Sequence, residues 1–225
     1  RKGDCHQKRE GSHNDCKASP PAERHEFGIE YDEFTGIKGE RWHSHSMFLP
    51  SDTPIVNSEW ITMGQFHNID YHKPPVNFDL KNNHFALVTR FHCIHPKKIN
   101  KTCYSNENSD AIKKIIDSSK LFGQWNDFIV NANWTSDIKN GFFKLWVNGE
   151  LVYHFVGRTV APDDQLTVQF GIYRGKARSS GDANHVIFYD EIRTAKSCKK
   201  MKLSKLGYSC NDLENQKIDK IYRIK

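Results

Sequence analysis

The chain is divided into short runs of β-branched and aromatic residues that are separated by turn residues. About ten runs of strand length alternate apolar and polar side chains, and Gly, Pro, Asn or Asp lies between them. The clearest pair is FFKLWVNGELVYHF at 142–155, where Asn148 and Gly149 join two alternating runs as a two-residue hairpin turn. These runs predict an all-β fold, a jelly-roll sandwich of two antiparallel sheets with one or two short helices.

The predicted strands occupy residues 24–31, 41–49, 60–67, 83–93, 127–134, 142–147, 151–156, 166–173 and 185–192. One helix is predicted at 111–121, because Ile112, Ile115 and Ile116 follow helical spacing and Ser109 or Asp110 supplies a cap. Residues 211–225 favour a second helix.

The chain has 225 residues, of which 37% are hydrophobic, and this supports one core. We therefore expect a single domain over 1–225, with a disulfide-stapled loop at 1–23 and a C-terminal extension at 196–225. No run has the length of a transmembrane helix, so no membrane partner is expected. The opening residues RKGDC lack an apolar signal core, so we expect any export signal to lie outside this sequence.

Six cysteines form three couples that are close in sequence: Cys5 with Cys16, Cys93 with Cys103, and Cys198 with Cys210. Pairing between neighbours closes the smallest loops and suits staples across hairpins and loops. Disulfides require an oxidising compartment, which predicts a secreted or periplasmic protein. Free buried thiols are the alternative, and zinc is disfavoured because no CxxC couple is present.

The net charge of +6 comes from basic residues that are scattered along the chain. Such a distribution favours a polyanion held in a groove over a disordered basic tail. Nucleic acid is disfavoured because neither a recognition helix nor a pair of base-stacking aromatic residues is found. The expected partner is therefore an anionic polymer of another kind.

Two stretches place polar groups on a strand face. In MGQFH, alternation puts Met63, Gln65 and His67 on one side. In TVQFGIYR, Gln169, Gly171 and Tyr173 share a face. A glycine weakens a strand, so Gly171 suggests that something approaches the sheet closely there.

Other faces suggest a binding trough. Lys144 and Trp146 share a strand face, where a cation beside an indole suits a sugar ring and its carboxylate, and Arg90 shares a face with His92. An ordinary solvated sheet face is the alternative reading of each pair. The expected substrate-binding residues are Arg41, Arg90, Lys144, Trp146 and Arg174.

Three motifs in chain order, RHEF at 24–27, QFH at 65–67 and QFGIYR at 169–174, resemble the signatures of jelly-roll polysaccharide lyases. Alginate lyases of that type carry R-x-E-L, Q-[IV]-H and Y-F-K-A-G-x-Y. The surrounding text, such as EWITMGQFH and VIFYDEIR, is more similar to the heparin lyase I-like and glucuronan lyase branch. Gln169 and Phe27 depart from the Lys and Leu of the alginate lyases, so the resemblance does not carry the identity of the substrate.

The resemblance implies cleavage of a uronic-acid-containing polysaccharide by β-elimination. It gives Gln65 and Arg24 the neutralisation of the substrate carboxylate, and it gives His67 and Tyr173 the transfer of protons. A histidine has a reference pKa near 6.5 and suits a base, whereas a tyrosine near 10 suits an acid, or a base if a cation such as Arg174 lowers its pKa. We leave the division of these two roles open at this point.

The main rival function is a non-catalytic carbohydrate-binding, lectin-like domain of the same fold. A glycoside hydrolase is disfavoured because the sequence EYDE at 30–33 breaks the alternation that paired carboxylates need. The His43-x-His45 and His92-x-x-His95 pairs lack a third metal ligand. The elimination is expected to require no cofactor, while a structural calcium ion with Asp190 as a ligand is an open alternative.

Overall fold

The computed structural model describes residues 15–17, 22–29, 36–54, 61–68, 74–81, 84–94, 112–162, 164–175 and 184–224. The strands in these ranges are β1 Ala22–Ile29, β2 Gly39–Phe48, β3 Ile61–Asn68, β4 Val76–Lys81, β5 His84–Thr89, β6 Ile112–Ile116, β7 Trp125–Trp134, β8 Phe142–Val147, β9 Glu150–Val156, β10 Leu166–Gly175, β11 Phe188–Ala195 and β12 Tyr222–Arg223.

The strands form two six-stranded sheets. The first sheet has the order β1-β10-β3-β4-β5-β6, and the second has the order β11-β2-β7-β8-β9-β12. Neighbouring strands are antiparallel, except that β12 runs parallel to β9. The predicted all-β jelly-roll sandwich is confirmed.

The core lies between the sheets because each strand turns every second side chain inward. In β9 the inward set is Tyr153 and Phe155. Asn148 and Gly149 at the β8–β9 turn have φ angles of 50° and 82°, the left-handed backbone that this hairpin turn needs. The predicted hairpin is therefore present.

Two histidines belong to this core. The His45 ring stacks on Phe128 with centroids 4.8 Å apart, and the His43 ring meets Phe66 edge-on at 5.2 Å. Burial lowers the pKa of each histidine to about 3, so both rings are neutral at physiological pH. His43 and His45 act as aromatic packing groups rather than as metal ligands.

The predicted helix at 111–121 is wrong. Residues 112–116, with the sequence IKKII, form β6 at the edge of the first sheet, and a 3₁₀ turn follows at Ser118–Lys120. The isoleucines fit both helical and strand spacing, and pairing with β5 decides the outcome. Strand β4 was missed, although Val76, Phe78 and Leu80 alternate toward the core.

The C-terminal segment packs on the outer face of the second sheet, which is the face that points away from the core. It contains α1 (Cys198–Met201), a 3₁₀ turn (Leu203–Leu206) and α2 (Cys210–Asn215). A second apolar cluster joins it to the sheet, formed by Trp42, Ile129, Trp146, Leu151, Met201, Leu203 and Leu213. In the parts of the chain that the structure describes, no helix is long and apolar enough to cross a membrane.

The predicted disulfide between Cys198 and Cys210 is present, with an S–S distance of 1.97 Å. Cys93 is also disulfide-bonded. Its predicted partner Cys103 lies outside the described residues, and so does Cys5 of the first predicted couple, whose other member is Cys16. These two pairings remain predictions.

At Gly171 in β10, pairing with β1 leaves no room for a side chain. The φ angle of Gly171 is 138°, and a Cβ atom there would lie 2.2 Å from the backbone oxygen of His25 on β1. The close approach predicted at this glycine is therefore made by the neighbouring strand. The hydroxyl of Tyr189 on β11 accepts a hydrogen bond from the Gly171 N–H at 3.2 Å and donates to the Met63 carbonyl oxygen.

We expect Gly171→Ala to lower the free energy of unfolding by about 2 to 4 kcal/mol, because the methyl group meets backbone that cannot move away and the φ angle is strained. Urea denaturation followed by circular dichroism measures the change. The matched control is Gly28→Ala, where the nearest atom would be 3.8 Å from the added Cβ. Equal unfolding midpoints for the two variants would contradict the close packing of β1 on β10.

Candidate active site

The three strands that carry the sequence motifs are neighbours. β10 lies between β1 and β3, with Tyr173 opposite Arg24 and Gln169 opposite both Gly28 and Gln65. His67 lies opposite Thr167, one position beyond the pair of glutamines on the same face. The four residues expected to be catalytic therefore share the outer face of the first sheet.

Glu26 joins two of these four residues, Gln65 and Arg24, through hydrogen bonds, and Arg24 contacts a third, Tyr173. The Gln65 amide donates to Glu26 Oε1 and to Gln169 Oε1, both at 2.8 Å. Arg24 Nη1 donates to Glu26 Oε2 at 3.1 Å, and the Arg24 guanidinium lies 4.0 Å from the centre of the Tyr173 ring. A continuous polar network thus runs from Gln169 to Tyr173.

The residues of the site differ in their exposure to solvent. Gln65 is buried, with 2% exposure, although it points away from the core. Arg24, with a side chain that is 25% exposed, His67 and Tyr173 are half-buried. A ligand that reaches the network from solvent therefore meets these three residues first.

The predicted face of MGQFH needs one correction. Met63 belongs to the core and does not share a face with Gln65, because the register of β3 shifts between Thr62 and Gly64. A matching shift in β10 lies between Phe170 and Tyr173. Such bulges move side chains to a different face of the sheet, and they are common next to functional sites.

The charges of the network are tightly compensated. Arg24 Nε also bonds to Asp15 at 2.8 Å, so one guanidinium serves two carboxylates. Burial works to lower the pKa of Arg24, but attraction to Glu26 and Asp15 outweighs it and raises that pKa. Burial raises the pKa of Glu26 despite the opposing pull of Arg24 and the hydrogen bond from Gln65.

Tyr173 is held in its neutral form. Burial raises its pKa above the ordinary value, and the nearby Arg24 reduces this rise without reversing it. Arg174, named above as a cation that could lower the pKa of Tyr173, does not do so, because adjacent residues of a strand face opposite sides. The phenol is therefore suited to donate a proton.

The hydrogen bond of His67 identifies which ring nitrogen can accept a proton. Nδ1 lies 2.5 Å from the carbonyl oxygen of Asn68, which can only accept, so Nδ1 carries the hydrogen. In the neutral ring the lone pair then belongs to Nε2. His67 therefore has the tautomer of a base that acts through Nε2.

The neighbouring strand β4 extends the polar surface with residues that the sequence analysis missed. Asn77 lies opposite Gln65, and Arg90 Nη1 donates to Asn77 Oδ1 at 2.6 Å. Thr62 donates to Asp79 at 2.8 Å. Of the expected substrate-binding residues, Arg90 is thus placed beside the network. Alternation within VNFDLK is the signal that could have found Asn77 and Asp79.

The structure places Lys144 and Trp146 elsewhere. Both lie on β8 of the second sheet and face away from the first sheet. Trp146 is 1% exposed, because it stacks on Trp42 at 5.6 Å under the C-terminal segment. Alternation shows which residues share a face, but it does not show which sheet carries the site.

Arg174 and Arg41 are also outside the network. Arg174 is buried on the core side of β10, where it pairs with Glu23 at 2.6 Å and contacts His185. Arg41 lies on β2 of the second sheet and donates to the backbone oxygen of Glu40. A cavity of about 820 Å³ is lined by Glu23, Arg174 and His185, and it adjoins the network through Arg24.

Potential metal ligands do not cluster in the part of the chain that the structure describes. Among the described residues, no set of three or more His, Cys, Asp or Glu side chains could hold a metal ion. Asp190 is exposed, and its Oδ1 accepts a hydrogen bond from the Glu191 N–H at 2.7 Å. A calcium ion at Asp190 remains a prediction.

The chain is similar to a polysaccharide lyase family and to several solved lyase structures. A family model described as polysaccharide lyase matches residues 1–193. No curated protein matches the chain significantly. Among solved structures, the endo-β-1,4-glucuronan lyase of the fungus Trichoderma reesei has a TM-score of 0.58 at 16% identity, covering 79% of this chain and 76% of its own.

Two alginate lyases are similar in the same way. The family 7 alginate lyase A1-II′, solved as a variant in complex with substrate, has a TM-score of 0.53 at 12% identity, covering 80% of this chain and 71% of its own. Alginate lyase vAL-1 from Chlorella virus has a TM-score of 0.50 at 10% identity and covers 76% of both chains. At such identities the solved structures show a shared fold.

We expect the stability of Glu26→Gln relative to the parent protein to depend on pH. The raised pKa of Glu26 means that the folded state favours its protonated form, so its contribution to stability is present at acidic pH and lost as pH rises through the folded pKa. The glutamine variant has no such loss and should gain stability relative to the parent between acidic and neutral pH. Urea unfolding across this range measures the difference, with the exposed Glu150→Gln as control. A constant difference at all pH values would contradict the burial of the Glu26 charge.

Proposed function

The chain belongs to the polysaccharide lyase family, and we propose that it cleaves a uronic-acid-containing, anionic polysaccharide by β-elimination on the outer face of the first sheet. The observation that supports this most is the network that connects Gln65, Glu26, Arg24 and Tyr173, with His67 on the same face. A base, an acid and carboxylate-binding donors are the three parts that this reaction requires.

The first part neutralises the substrate carboxylate. The proton at C5 of a uronate is barely acidic while the adjacent carboxylate carries full charge, so donors must stabilise the charge that develops there. The Gln169 amide accepts from Gln65 through its oxygen, so its NH2 group supplies the neutral donor at the centre of the site. Gln65, whose two N–H groups donate to Glu26 and Gln169, holds that amide in position. Arg24 adds a positive charge, which Asp15 and Glu26 hold in place.

The second part is the base. His67 Nε2 takes the C5 proton, and the electron pair of that C–H bond forms the C4–C5 double bond. His67 suits this role because the hydrogen bond from Nδ1 to the Asn68 carbonyl places the lone pair of the neutral ring on Nε2.

The third part is the acid. As the C4–O4 bond breaks, the departing oxygen takes the proton of the Tyr173 hydroxyl, so no water is consumed. The phenolate receives a proton from solvent before the next cycle. Burial supports this role because it keeps Tyr173 protonated.

The positions of the base and the acid fit one sugar ring. Along β3, His67 and the position opposite Tyr173 lie on either side of Gln65, five residues apart. This is a span of about 16 Å at ~3.3 Å per residue. A base and an acid on either side of Gln65 can act on one sugar whose carboxylate lies at the glutamines.

The proposed substrate class rests on two supports. Similar structures are lyases of glucuronan and alginate by name. Arg90, which bonds to Asn77 beside Gln65, adds a basic group at the edge of the site. The Cys198–Cys210 disulfide supports the proposal that the protein works in an oxidising compartment, as a secreted or periplasmic enzyme. The reaction as proposed uses side chains alone and needs no cofactor.

Incubation with glucuronan, alginate, heparin and pectate tests the function. A lyase creates a conjugated double bond, which absorbs ultraviolet light. We expect the ultraviolet absorbance to rise with at least one of the four polymers. His67→Ala and Tyr173→Phe should each lower kcat by about 100-fold or more, the usual contribution of a general acid or base. Both variants should keep most of their polymer binding.

The matched controls are His154→Ala and Tyr222→Phe, which change the same residue types on the second sheet. If one polymer binds and none gains absorbance, the protein is a carbohydrate-binding domain and the lyase proposal fails. Undiminished turnover in both His67→Ala and Tyr173→Phe would instead overturn the assignment of the site.

The pH dependence of kcat separates the two proton-transfer roles. The rate should rise as the His67 imidazolium loses its proton, since only the neutral ring accepts one. Because burial raises the pKa of Tyr173 above the ordinary 10, the acid stays protonated and the rate should not fall again below pH 10. Initial rates on the best polymer, measured over pH 5 to 10 with unfolding monitored in parallel, check this. A decline in kcat between pH 7 and 9 while the enzyme remains folded would exclude Tyr173 as the acid.

A further inference from the structure

The net positive charge, expected above to be scattered along the chain, is instead concentrated after residue 193. The last 32 residues contain nine Lys and Arg against three Asp and Glu, which equals the net charge of +6 of the whole chain. The first 193 residues, which the family model matches, are therefore neutral overall. The segment from residue 194 onward thus differs in electrostatic character from the rest of the protein.

This segment is firmly attached to the outer face of the second sheet. Cys198, Met201 and Leu203 are buried against Trp42 and its neighbours, and the disulfide to Cys210 closes the loop. Arg193 Nη1 donates to the carbonyl oxygens of Met201 and Lys202 at the end of α1, at 2.9 and 2.7 Å. The backbone that carries the charges is therefore fixed.

Five lysines point outward between these buried anchors, and we call them the lysine strip: Lys196, Lys199, Lys200, Lys202 and Lys205. All five are exposed. Within the described part of the chain, no carboxylate forms an ion pair with any of them. Like charges held close together repel one another, and a polyanion relieves that repulsion.

We infer that the lysine strip is an accessory binding surface for an acidic polysaccharide, separate from the site on the first sheet. This inference rests on the proposed function for the identity of the polymer. The strip and the site lie on the outward faces of opposite sheets. Only a long chain can reach both faces, so the strip raises the local concentration of polymeric substrate and does not affect short oligosaccharides.

The chemistry of the strip favours a glycan over other polyanions. Nucleic-acid surfaces of this kind stack bases on exposed aromatic rings, but the two aromatic residues of the segment are otherwise engaged. The Tyr208 hydroxyl bonds to Asp127 at 2.6 Å, and the Tyr222 ring stacks on Tyr153 at 4.7 Å. Insertion into a membrane would need exposed apolar side chains beside the lysines, whereas Met201 and Leu203 face the sheet.

The test compares Lys→Gln variants that remove equal charge at different places. The double variant Lys199→Gln/Lys200→Gln removes two charges from the strip. Its control, Lys120→Gln/Lys139→Gln, removes two charges from exposed lysines elsewhere. A third variant replaces all five strip lysines. Binding of glucuronan polymer is measured at low and at physiological salt in the His67→Ala background, which prevents cleavage, and turnover of a glucuronan tetrasaccharide is measured with His67 intact.

We expect the double strip variant to bind the polymer about threefold more weakly, and the five-lysine variant about tenfold, with a shallower salt dependence because fewer counterions are exchanged. The Lys120→Gln/Lys139→Gln control should bind as the parent does. In all variants, kcat and KM for the tetrasaccharide should be unchanged.

Equal polymer binding by the strip and control variants would overturn the inference while the proposed function stands, provided that the tetrasaccharide is cleaved. The inference is also overturned if the strip variants lose binding only to a 30-base-pair DNA duplex or to phosphatidylserine vesicles. If no protein cleaves the tetrasaccharide, the proposed function fails, and the comparison of polymer binding still decides the role of the strip.

Discussion

The pairing of β10 with strands on both of its sides holds the proposed site together. β1 and β3 are far apart in sequence, and each contributes a different part of the chemistry. Because β10 is hydrogen-bonded to both, Arg24, Tyr173, Gln169 and Gln65 are brought onto one surface. Glu26 then connects the two flanking strands, β1 and β3. It accepts hydrogen bonds from Arg24 on β1 and from Gln65 on β3.

The site combines one shared cation with buried, uncharged amide donors. A single guanidinium is shared by two carboxylates, so Arg24 is oriented by its partners and does not move freely toward a ligand. The central donors are amides, which cost less to bury than charged groups do. A lysine at the position of Gln169 would bring a second cation beside Gln65, and the glutamine supplies a donor there without that charge.

The sequence predicted much of the fold because alternation is a local property. The β8–β9 hairpin follows from its own residues, and nine strand-length runs correspond to strands that the structure contains. The helix predicted at 111–121 failed where local spacing was ambiguous and pairing with β5 decided. Residues 1–14 of the predicted N-terminal loop lie outside the described residues.

The site was predicted less completely, for a physical reason. Alternation correctly grouped Gln65 with His67, but the bulge at Met63 depends on pairing with β4 and could not be read from β3 alone. Lys144 and Trp146 do share a face, yet the C-terminal segment covers that face. The bond between Glu26 and Gln65 joins residues 39 positions apart, so only the tertiary structure could reveal it.

Tyr189 shows how the second sheet governs the register of the first. Its hydroxyl contacts the backbone of Gly171 and Met63, the residues where β10 and β3 leave regular pairing. A slip of β10 by one residue would turn Gln169 and Tyr173 toward the core, and it would also separate Gly171 from this hydroxyl. Tyr189 thus fixes the register of β10 from the opposite sheet and need not itself contact a ligand. It thereby determines which residues of β10 a sugar can contact.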